Sequence, residues 1–350
     1  MIIETLKKAQ TGAHLTADEA YATFREIMNG EVTNPVLIAA LLTAMQMNGP
    51  TATEVTGAAR AMRGAGIKVK APKDAVDIVG TGGDGFGTFN CSTTAALVAA
   101  GAGVTIAKHG NKASTSQSGS ADCLAALGYD LLTPLEGVER SIAENGIGFC
   151  FANRCHPAMM YAAPVRKALP YRTVFNLLGP LTNPADVTRH ALGVYAPEIV
   201  PIYVSALKAL GTTRALVFCG EVPQADGSVK YLDELSVSGL SHLTILREDG
   251  YVLETTVDPE RLFGRTDPIE AIAGGTPEEN AAITRRVLGG EKGAYRHAAA
   301  LNAAAAIVAG GKADTLEDGV KLAEQAIDSG AARAKLAALV TATSPHRVDA

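Results

Sequence analysis

Tryptophan is absent from this 350-residue chain, and aromatic residues make up only 5% of it. A core without large rings is filled by small and branched side chains, which favours close helix contacts and tight loops. Cysteine is scarce and odd in number, five in all, with no Cys-x-x-Cys spacing. That excludes a disulfide-framed secreted domain. Cys150 and Cys155, followed by His156, are the one close group, and a proper zinc site needs more ligands. Free thiols in a reducing cytosol are expected. Charged residues are 19% of the chain, below the usual ~25%. The net charge of −5 gives no global attraction to nucleic acid or to an anionic membrane. Long apolar runs are also missing. The uncharged stretches Val32–Thr53 and Phe86–Ala107 are broken by Asn34-Pro35, Gly49-Pro50, Asn90 and Ser92. Neither offers the ~20 continuous apolar residues a bilayer needs. Met1–Gln10 carries Glu4, Lys7 and Lys8 and no apolar segment, so no targeting signal is expected and the location expected is cytoplasmic.

What is present is a 47% apolar composition and 36 glycines, against a usual ~7%. The length fits two domains at roughly 100–200 residues each. Residues 1–70 read as successive helices. Thr16-x-x-Glu19 and Thr51-x-x-Glu54 are capping boxes, and Asn34-Pro35 pairs an N-cap with proline at the first helical position. Val36–Met47 is apolar on nearly every face, which predicts burial in a core or against another subunit. Beyond a linker at 70–73 the pattern changes to alternating strands and helices. Ala75–Val79, Val104–Ala107, Gly148–Phe151, Ala191–Tyr195 and Ala215–Cys219 read as strands, and Ser92–Ala100, Ala121–Leu127 and Val200–Leu210 as helices. His242–Arg247 and Tyr251–Thr256 flank a hairpin turn. The C-terminal part is helical again, with Ala294–Ala309 a buried small-residue helix. The fold class expected is α/β. A small N-terminal helical domain, 1–70, joined by part of 165–190, would stand beside a large domain, 75–350, with a mostly parallel sheet flanked by helices.

In such sheets ligands sit beyond the carboxyl ends of the strands. The first strand runs into Gly80-Thr81-Gly82-Gly83-Asp84-Gly85, which spells Gly-x-Gly-x-x-Gly. A dinucleotide site would want a helix opening on the glycines and an acidic residue ~20 positions on. Here the helix opens later, and no acid lies between Asp84 and Asp122. A backbone cradle for a phosphate-bearing ligand fits better, with Asp84 reaching a metal or a ribose hydroxyl. Thr88, Asn90, Ser92, Thr93 and Thr94 place hydroxyls and an amide at a helix N-terminus, a place that favours anions. The second loop, from Lys108-His109-Gly110-Asn111-Lys112 to Ser120, adds two lysines, a histidine and five hydroxyls at the same sheet edge. Two such loops fit one ligand with two anionic groups. Asp233-Glu234 is either an exposed turn or, beside those loops, a Mg²⁺ site sharing the ion with phosphate oxygens. Arg166 and Arg172 supply cations near the Gly179-Pro180 turn, and Arg166 is suited to a bidentate grip on a carboxylate.

Taken together, these residues resemble the anthranilate phosphoribosyltransferase family over almost the whole chain. The anchors are Gly80-Thr81-Gly82-Gly83-Asp84, Asn90-x-Ser92-Thr93, Lys108-His109-Gly110-Asn111, Gly119-Ser120-Ala121-Asp122, His156-Pro157-Ala158-Met159, Pro164-Val165-Arg166-Lys167, Phe175–Pro184 and Asp233-Glu234. The resemblance implies a homodimer joined through the helical domain, with phosphoribosyl pyrophosphate, Mg²⁺ and anthranilate bound between domains. It implies that Gly80, Gly83, Asp84, Thr88, Asn90, Ser92, Thr93, Lys108 and Ser120 contact phosphoribosyl pyrophosphate. Asp233 and Glu234, helped by Ser92, would hold the metal, and Gly80, Asn111, His156, Arg166 and Gly179 would face anthranilate. Lys108, Asp84 and Arg166 would carry catalysis. His109 and His156 are open to orienting, proton-shuttling or core roles. The chain departs from the family at Lys112, where arginine is usual, at Thr115-Ser116, where two serines are usual, and at Tyr231, where glycine is usual. Glu221–Lys230 is longer than usual. Two rivals share the scaffold: a pyrimidine nucleoside phosphorylase, which would not need Asp233-Glu234, and a non-catalytic nucleic-acid-binding relative, which would want a basic surface.

Overall fold

The structure is a computed structural model that describes residues 1–113 and 116–343. Ser114 and Thr115 of the second loop lie outside the described residues, and so does the departure read at Thr115. Capping chemistry sets the first helices: α1 (Ile2–Ala9), α2 (Ala17–Met28), α3 (Pro35–Asn48) and α4 (Ala52–Ala65). Thr16 and Thr51 each close a capping box with Glu19 and Glu54, and the Asn34 side chain accepts from the Val36 amide. α3 buries Ile38, Leu41, Leu42 and Met45, but Val36 and Met47 are 68% and 83% exposed. The all-round burial expected for α3 is therefore met on one face within this chain.

The strands are β1 (Val76–Gly80), β2 (Ile106–Gly110), β3 (Ile147–Phe151), β4 (Arg189–Gly193), β5 (Arg214–Pro223), β6 (Val229–Leu232), β7 (Ser241–Leu246) and β8 (Val252–Val257). They form one sheet in the order β3-β2-β1-β4-β5-β7-β8, with β6 paired to β5. The pairings from β3 through β5 are parallel, and those of β6, β7 and β8 are antiparallel. The chain therefore runs outward from β1 to β3 and returns on the other side of β1 as β4. That reversal opens a crevice at the carboxyl ends of β1 and β4.

Helices cover both faces. α5 (Cys91–Gly101) and α6 (Ser120–Ala126) follow β1 and β2, and α7 (Leu135–Asn145) precedes β3. α7 was not anticipated: its buried residues are Gly137, Val138, Ser141 and Ile142, too few to show a helical period in the sequence. The short α8 (Ala152–Cys155), α9 (Ala163–Ala168) and α10 (Phe175–Leu178) lead to α11 (Val200–Ala209). Val165, Val174, Phe175, Leu178 and Leu181 share one apolar cluster with Phe24, Ile27, Leu41 and Met45 of the N-terminal helices and with Leu192 and Val217 of the sheet. The opposite face is covered by α5 and by the C-terminal α13 (Pro277–Leu288), α14 (Ala294–Ala309), α15 (Leu316–Asp328) and α16 (Ala331–Thr343), reached through α12 (Pro259–Phe263). Alanines line α14 and are nearly all buried, so the lack of large rings is answered by close helix approach.

β4 also buries His190 completely, and burial, with Arg63 nearby, pushes its pKa down to about 3. The folded chain keeps this ring neutral where the unfolded chain protonates it near pH 6.5. The unfolded state then binds more protons, so this contribution to stability is present above pH 6.5 and lost as pH falls towards 3. On lowering the pH from 7.5 to 5.5 the wild type should lose about 1.4 kcal/mol that His190→Asn does not. Urea unfolding of both proteins at the two pH values measures this, and a constant gap between them would refute it.

Candidate active site

The crevice is built from glycines. Gly80 and Gly193 stand opposite each other in register at the ends of β1 and β4. β5 outruns β4, and β6 fills the edge so vacated, pairing Leu232 with Gly220. The chain leaving β6 then crosses the strand ends as Asp233-Glu234. A Cβ on Gly80 would lie 2.3 Å from Asp233 Oδ2, and one on Gly193 would lie 1.8 Å from the Asp233 carbonyl oxygen. One on Gly220 would lie 2.4 Å from the Glu234 carbonyl oxygen. Gly80 and Gly193 at strand ends and Gly220 within β5 thus form the floor on which the acidic pair rests. From the helix side, Asn302 of α14 accepts from the Leu235 amide at 2.8 Å and donates to its carbonyl at 3.1 Å. Sequence reasoning did not find Asn302, a lone polar residue in a run of alanines. It also missed β6, and the extra length read in Glu221–Lys230 is the β5–β6 hairpin.

Asp233 is 9% exposed and Glu234 is half-buried, so the exposed-turn alternative is overturned. The Gly82 amide donates to Asp233 Oδ2 at 2.5 Å, and the Ser92 amide to Glu234 Oε1 at 3.1 Å. Burial, then Asp84 and Glu234, hold the Asp233 carboxyl well above its usual range. Burial also raises Glu234 to about 8, against the pull of Lys108 and with Asp84 adding to the rise. Lys108, 4% exposed, donates to the Ile78 carbonyl at 2.6 Å and to Ser92 Oγ at 3.3 Å. Burial lowers its pKa, and Asp77 and Glu234 oppose the fall.

The second strand runs further than the sequence suggested. Lys108 and His109 lie within β2 rather than beyond it, and adjacent strand residues point to opposite faces. Lys108 faces Ser92 and the acidic pair. His109 turns the other way, with Nδ1 3.1 Å from the Gly179 carbonyl and its ring 5.2 Å from that of His156. Burial pushes His109 down to about 3 and His156 to about 4, so both rings are neutral at pH 7. The His109 amide donates to the buried Asp77, whose pKa burial raises to about 6.

Two further expectations change. Thr93 and Thr94 are buried, and Thr94 Oγ1 bonds the Asn90 carbonyl and Thr284. Ser92 Oγ accepts from Lys108, and Thr93 Oγ1 is buried with no hydrogen-bond partner among the described residues. Asn90 is tied to the second loop, donating to the Ser118 carbonyl and accepting from Ser118 Oγ. Ser120 Oγ donates to the Asn111 carbonyl, which closes that loop on itself. Thr88 pairs with Ala273 in an isolated bridge. Asn111 is exposed at the end of β2. Arg166 is exposed in the last turn of α9, its guanidinium 5.4 Å from the Phe175 ring centre, and no carboxylate pairs with it among the described residues.

Residues 72–333 match the profile of the glycosyl transferase family, a/b domain, and residues 3–66 that of its helical bundle domain. The chain is 47% identical to the anthranilate phosphoribosyltransferase of Nitrobacter hamburgensis, covering 96% of this chain and 97% of that one. It is 48% identical to that of Anaeromyxobacter sp., covering 98% and 99%. The chain belongs to the anthranilate phosphoribosyltransferase family. Among solved structures, the anthranilate phosphoribosyltransferase of Thermus thermophilus superposes with a TM-score of 0.88 at 45% identity, covering 97% of this chain and 99% of that one. The Saccharomyces cerevisiae anthranilate phosphoribosyltransferase in complex with PRPP and Mg gives 0.85 at 28% identity, covering 98% and 97%.

For a phosphoribosyltransferase the oxygen donors of this crevice are suited to a hard divalent cation. Burial and the neighbouring Asp84 raise the proton affinity of Asp233 and Glu234, with Lys108 the cation facing Glu234. Like charges held together in this way fit Mg²⁺. Yet among the described residues no three His, Cys, Asp or Glu side chains are placed to hold an ion by themselves.

Proposed function

We propose that this chain transfers the 5-phosphoribosyl group from phosphoribosyl pyrophosphate to the amine of anthranilate, releasing pyrophosphate, in tryptophan biosynthesis. The observation that carries the reading is Asp233-Glu234, fixed over the strand-end glycines beside the Gly80–Gly85 loop, in a chain alike over nearly its whole length to enzymes of that activity. Gly80, Gly83, Asp84, Thr88, Asn90, Ser92, Thr93, Lys108 and Ser120 surround the phosphoribosyl pyrophosphate. Asp233 and Glu234, with Ser92, would hold Mg²⁺, whose charge would neutralise the leaving pyrophosphate. Lys108 adds a second positive charge on the same side. Asn111, His156, Arg166 and Gly179 orient anthranilate. The homodimer through the helical domain belongs to this reading, supported by the apolar Val36 and Met47 left exposed on α3. So do the division at residues 70–75 and the cytoplasmic location, the latter supported by five free buried cysteines. No helix of the described residues is long and apolar enough to cross a membrane.

The chemistry asks for no protein nucleophile. Burial pushes every thiol up: Cys123 and Cys155 to about 11, Cys219 to about 12, and Cys91 and Cys150 well above their usual value. An aniline nitrogen is already neutral at pH 7, so the neutral His109 and His156 serve as hydrogen-bonding groups rather than strong bases. Anthranilate fluorescence should fall when phosphoribosyl pyrophosphate and Mg²⁺ are added, with release of pyrophosphate. Thymidine or uridine with phosphate should release no free base. Phosphorolysis at a comparable rate would overturn the assignment in favour of a nucleoside phosphorylase.

Arg166 supplies a separate check. A guanidinium grips both oxygens of a carboxylate and so fixes where the ortho amine points. A hydrogen bond to a charged group contributes roughly 1.5–3 kcal/mol. Arg166→Ala should therefore lower kcat/KM for anthranilate by about 10- to 150-fold, and Arg166→Lys should recover part of this. The KM for phosphoribosyl pyrophosphate should move far less. An equal loss for both substrates in steady-state kinetics would place Arg166 outside the anthranilate site.

A further inference from the structure

Arg172 lies between α9 and α10, in the segment that packs with the N-terminal helices, yet its side chain reaches the phosphate loop. Its Nη2 donates to the Gly83 carbonyl. Its guanidinium is stacked 3.6 Å from the centre of the Tyr195 ring, just beyond β4. Tyr195 is itself fastened to that loop, because its amide donates to Thr81 Oγ1 at 3.1 Å, and the Thr81 amide donates to the Gly193 carbonyl at 3.0 Å. The contact is close: a Cβ on Gly83 would lie 2.7 Å from Arg172 Nη2.

Between Gly82, whose amide donates to Asp233 Oδ2, and Gly87, whose carbonyl accepts from the Gly274 amide, the loop it touches has little to hold its shape. Gly82, Gly83, Gly85 and Gly87 all have positive φ, at 73°, 77°, 85° and 63°. Glycine adopts this region freely, and also leaves it freely, so peptide planes in such a run can rotate at small cost. The amides of Gly83, Asp84 and Gly85 have no hydrogen-bond partner among the described residues. A trans peptide is planar, so its C=O and the following N–H point in opposite directions. Holding the Gly83 carbonyl against Arg172 therefore turns the Asp84 N–H to the other side of the loop. Amides left free and aligned in this way make an anion-binding concavity.

We propose that Arg172 is a positioning residue: by anchoring the Gly83 carbonyl it fixes the Gly83–Asp84 peptide plane, so that the loop meets the pyrophosphate with its amide donors already aimed. The inference rests on the assignment of this loop to phosphoribosyl pyrophosphate made above. It also makes the loop's shape depend on the helical part of the chain, because Arg172 belongs to the segment 169–174 between α9 and α10. Asn176, which accepts from the Thr173 amide at 2.9 Å, steadies that segment.

Two substitutions separate the hydrogen bond from the packing. Arg172→Met keeps an apolar stem over Tyr195 and removes the donor. Arg172→Lys keeps a donor within reach of the carbonyl. Calorimetric titration with phosphoribosyl pyrophosphate and Mg²⁺, together with steady-state kinetics, reads the effect. Arg172→Met should weaken phosphoribosyl pyrophosphate binding about 10- to 100-fold and leave the KM for anthranilate within about threefold, and Arg172→Lys should bind within about fivefold of the wild type. Binding by Arg172→Met within threefold of the wild type, a lysine variant no better than methionine, or an equal rise in both KM values would each overturn the role. If the wild type itself does not bind phosphoribosyl pyrophosphate, the assignment of the loop fails instead. Should Arg172→Met fold too poorly to titrate, Tyr195→Leu tests the same point by removing the ring that holds the guanidinium in place. It should weaken phosphoribosyl pyrophosphate binding severalfold, and unchanged binding there would overturn the role.

Discussion

The double variant Asp233→Asn with Glu234→Gln is expected to lose at least about 1,000-fold in kcat/KM while melting no lower than the wild type in the absence of Mg²⁺. Both halves follow from the same geometry. The two carboxylates sit with Asp84 at the strand ends, where burial and the nearby Asp84 hold both carboxyls above their usual range. Their ionised forms therefore cost free energy in the metal-free fold, and the neutral amides relieve it. The Gly82 and Ser92 amides donate to these side chains, and the amide oxygens of Asn and Gln can accept the same bonds. The fold is thus spared, whereas a cation shared with a pyrophosphate loses its protein ligands. Neutralising the charge that builds on a leaving group commonly contributes more to the rate than any other single effect. The measurements are a thermal melt with and without Mg²⁺ and a pyrophosphate-release assay at saturating Mg²⁺. Near-normal turnover would mean the pair is structural only, and a sharp fall in melting temperature would mean the carboxylates hold the fold.

Much of this site was legible in the sequence because loops after strands are spelled in small and polar residues. Gly80–Gly85, Asn90-x-Ser92 and Lys108–Asn111 stand out against apolar surroundings, and capping boxes mark α2, α4 and α13 residue by residue. What was illegible depends on register and on distant contact. In the sequence the apolar residues of the second strand, Val104–Ala107, stop at position 107. Pairing of Lys108 with Phe149 and His109 with Cys150 carries it on to Gly110, and only that pairing sends the two side chains to opposite faces. Thr93 and Thr94 look equivalent to Ser92 in the sequence, but both are buried in the fold, and the Thr94 hydroxyl is bonded to Asn90 and Thr284. Asp233-Glu234 taken alone reads equally well as a surface turn, because its burial comes from glycines at positions 80, 193 and 220, outside its local sequence. Arg172 is legible as a cation, but its role is not, since its partner is a carbonyl oxygen 89 residues away.

Gly193→Ala is the smallest substitution that should disable the site without touching a polar group. The added methyl would stand 1.8 Å from the Asp233 carbonyl oxygen and 2.5 Å from its carbon, both backbone atoms, and 3.0 Å from the Phe218 ring. Ordinary contact needs well over 3 Å. The relief must therefore come from a shift of the Asp233 backbone by more than an ångström, since Gly193 is held within β4 by its pairing with Gly80 and Phe218. The Leu235 backbone, pinned by Asn302, restricts where that segment can go. Overpacking of this kind costs about 1–3 kcal/mol of stability. A displacement of about 1 Å at a reacting centre can cost 100-fold in rate. Gly193→Ala should accordingly fold with a lowered melting temperature and lose about 100-fold or more in kcat/KM, with a raised Mg²⁺ requirement, while the KM for anthranilate changes little. Gly64→Ala is the matching control: it lies inside α4 with nothing within 4 Å of the added methyl. It should be stabilising by about 0.5–1 kcal/mol and leave turnover unchanged. Turnover by Gly193→Ala within threefold of the wild type would show that the acidic pair does not depend on the glycine floor for its position.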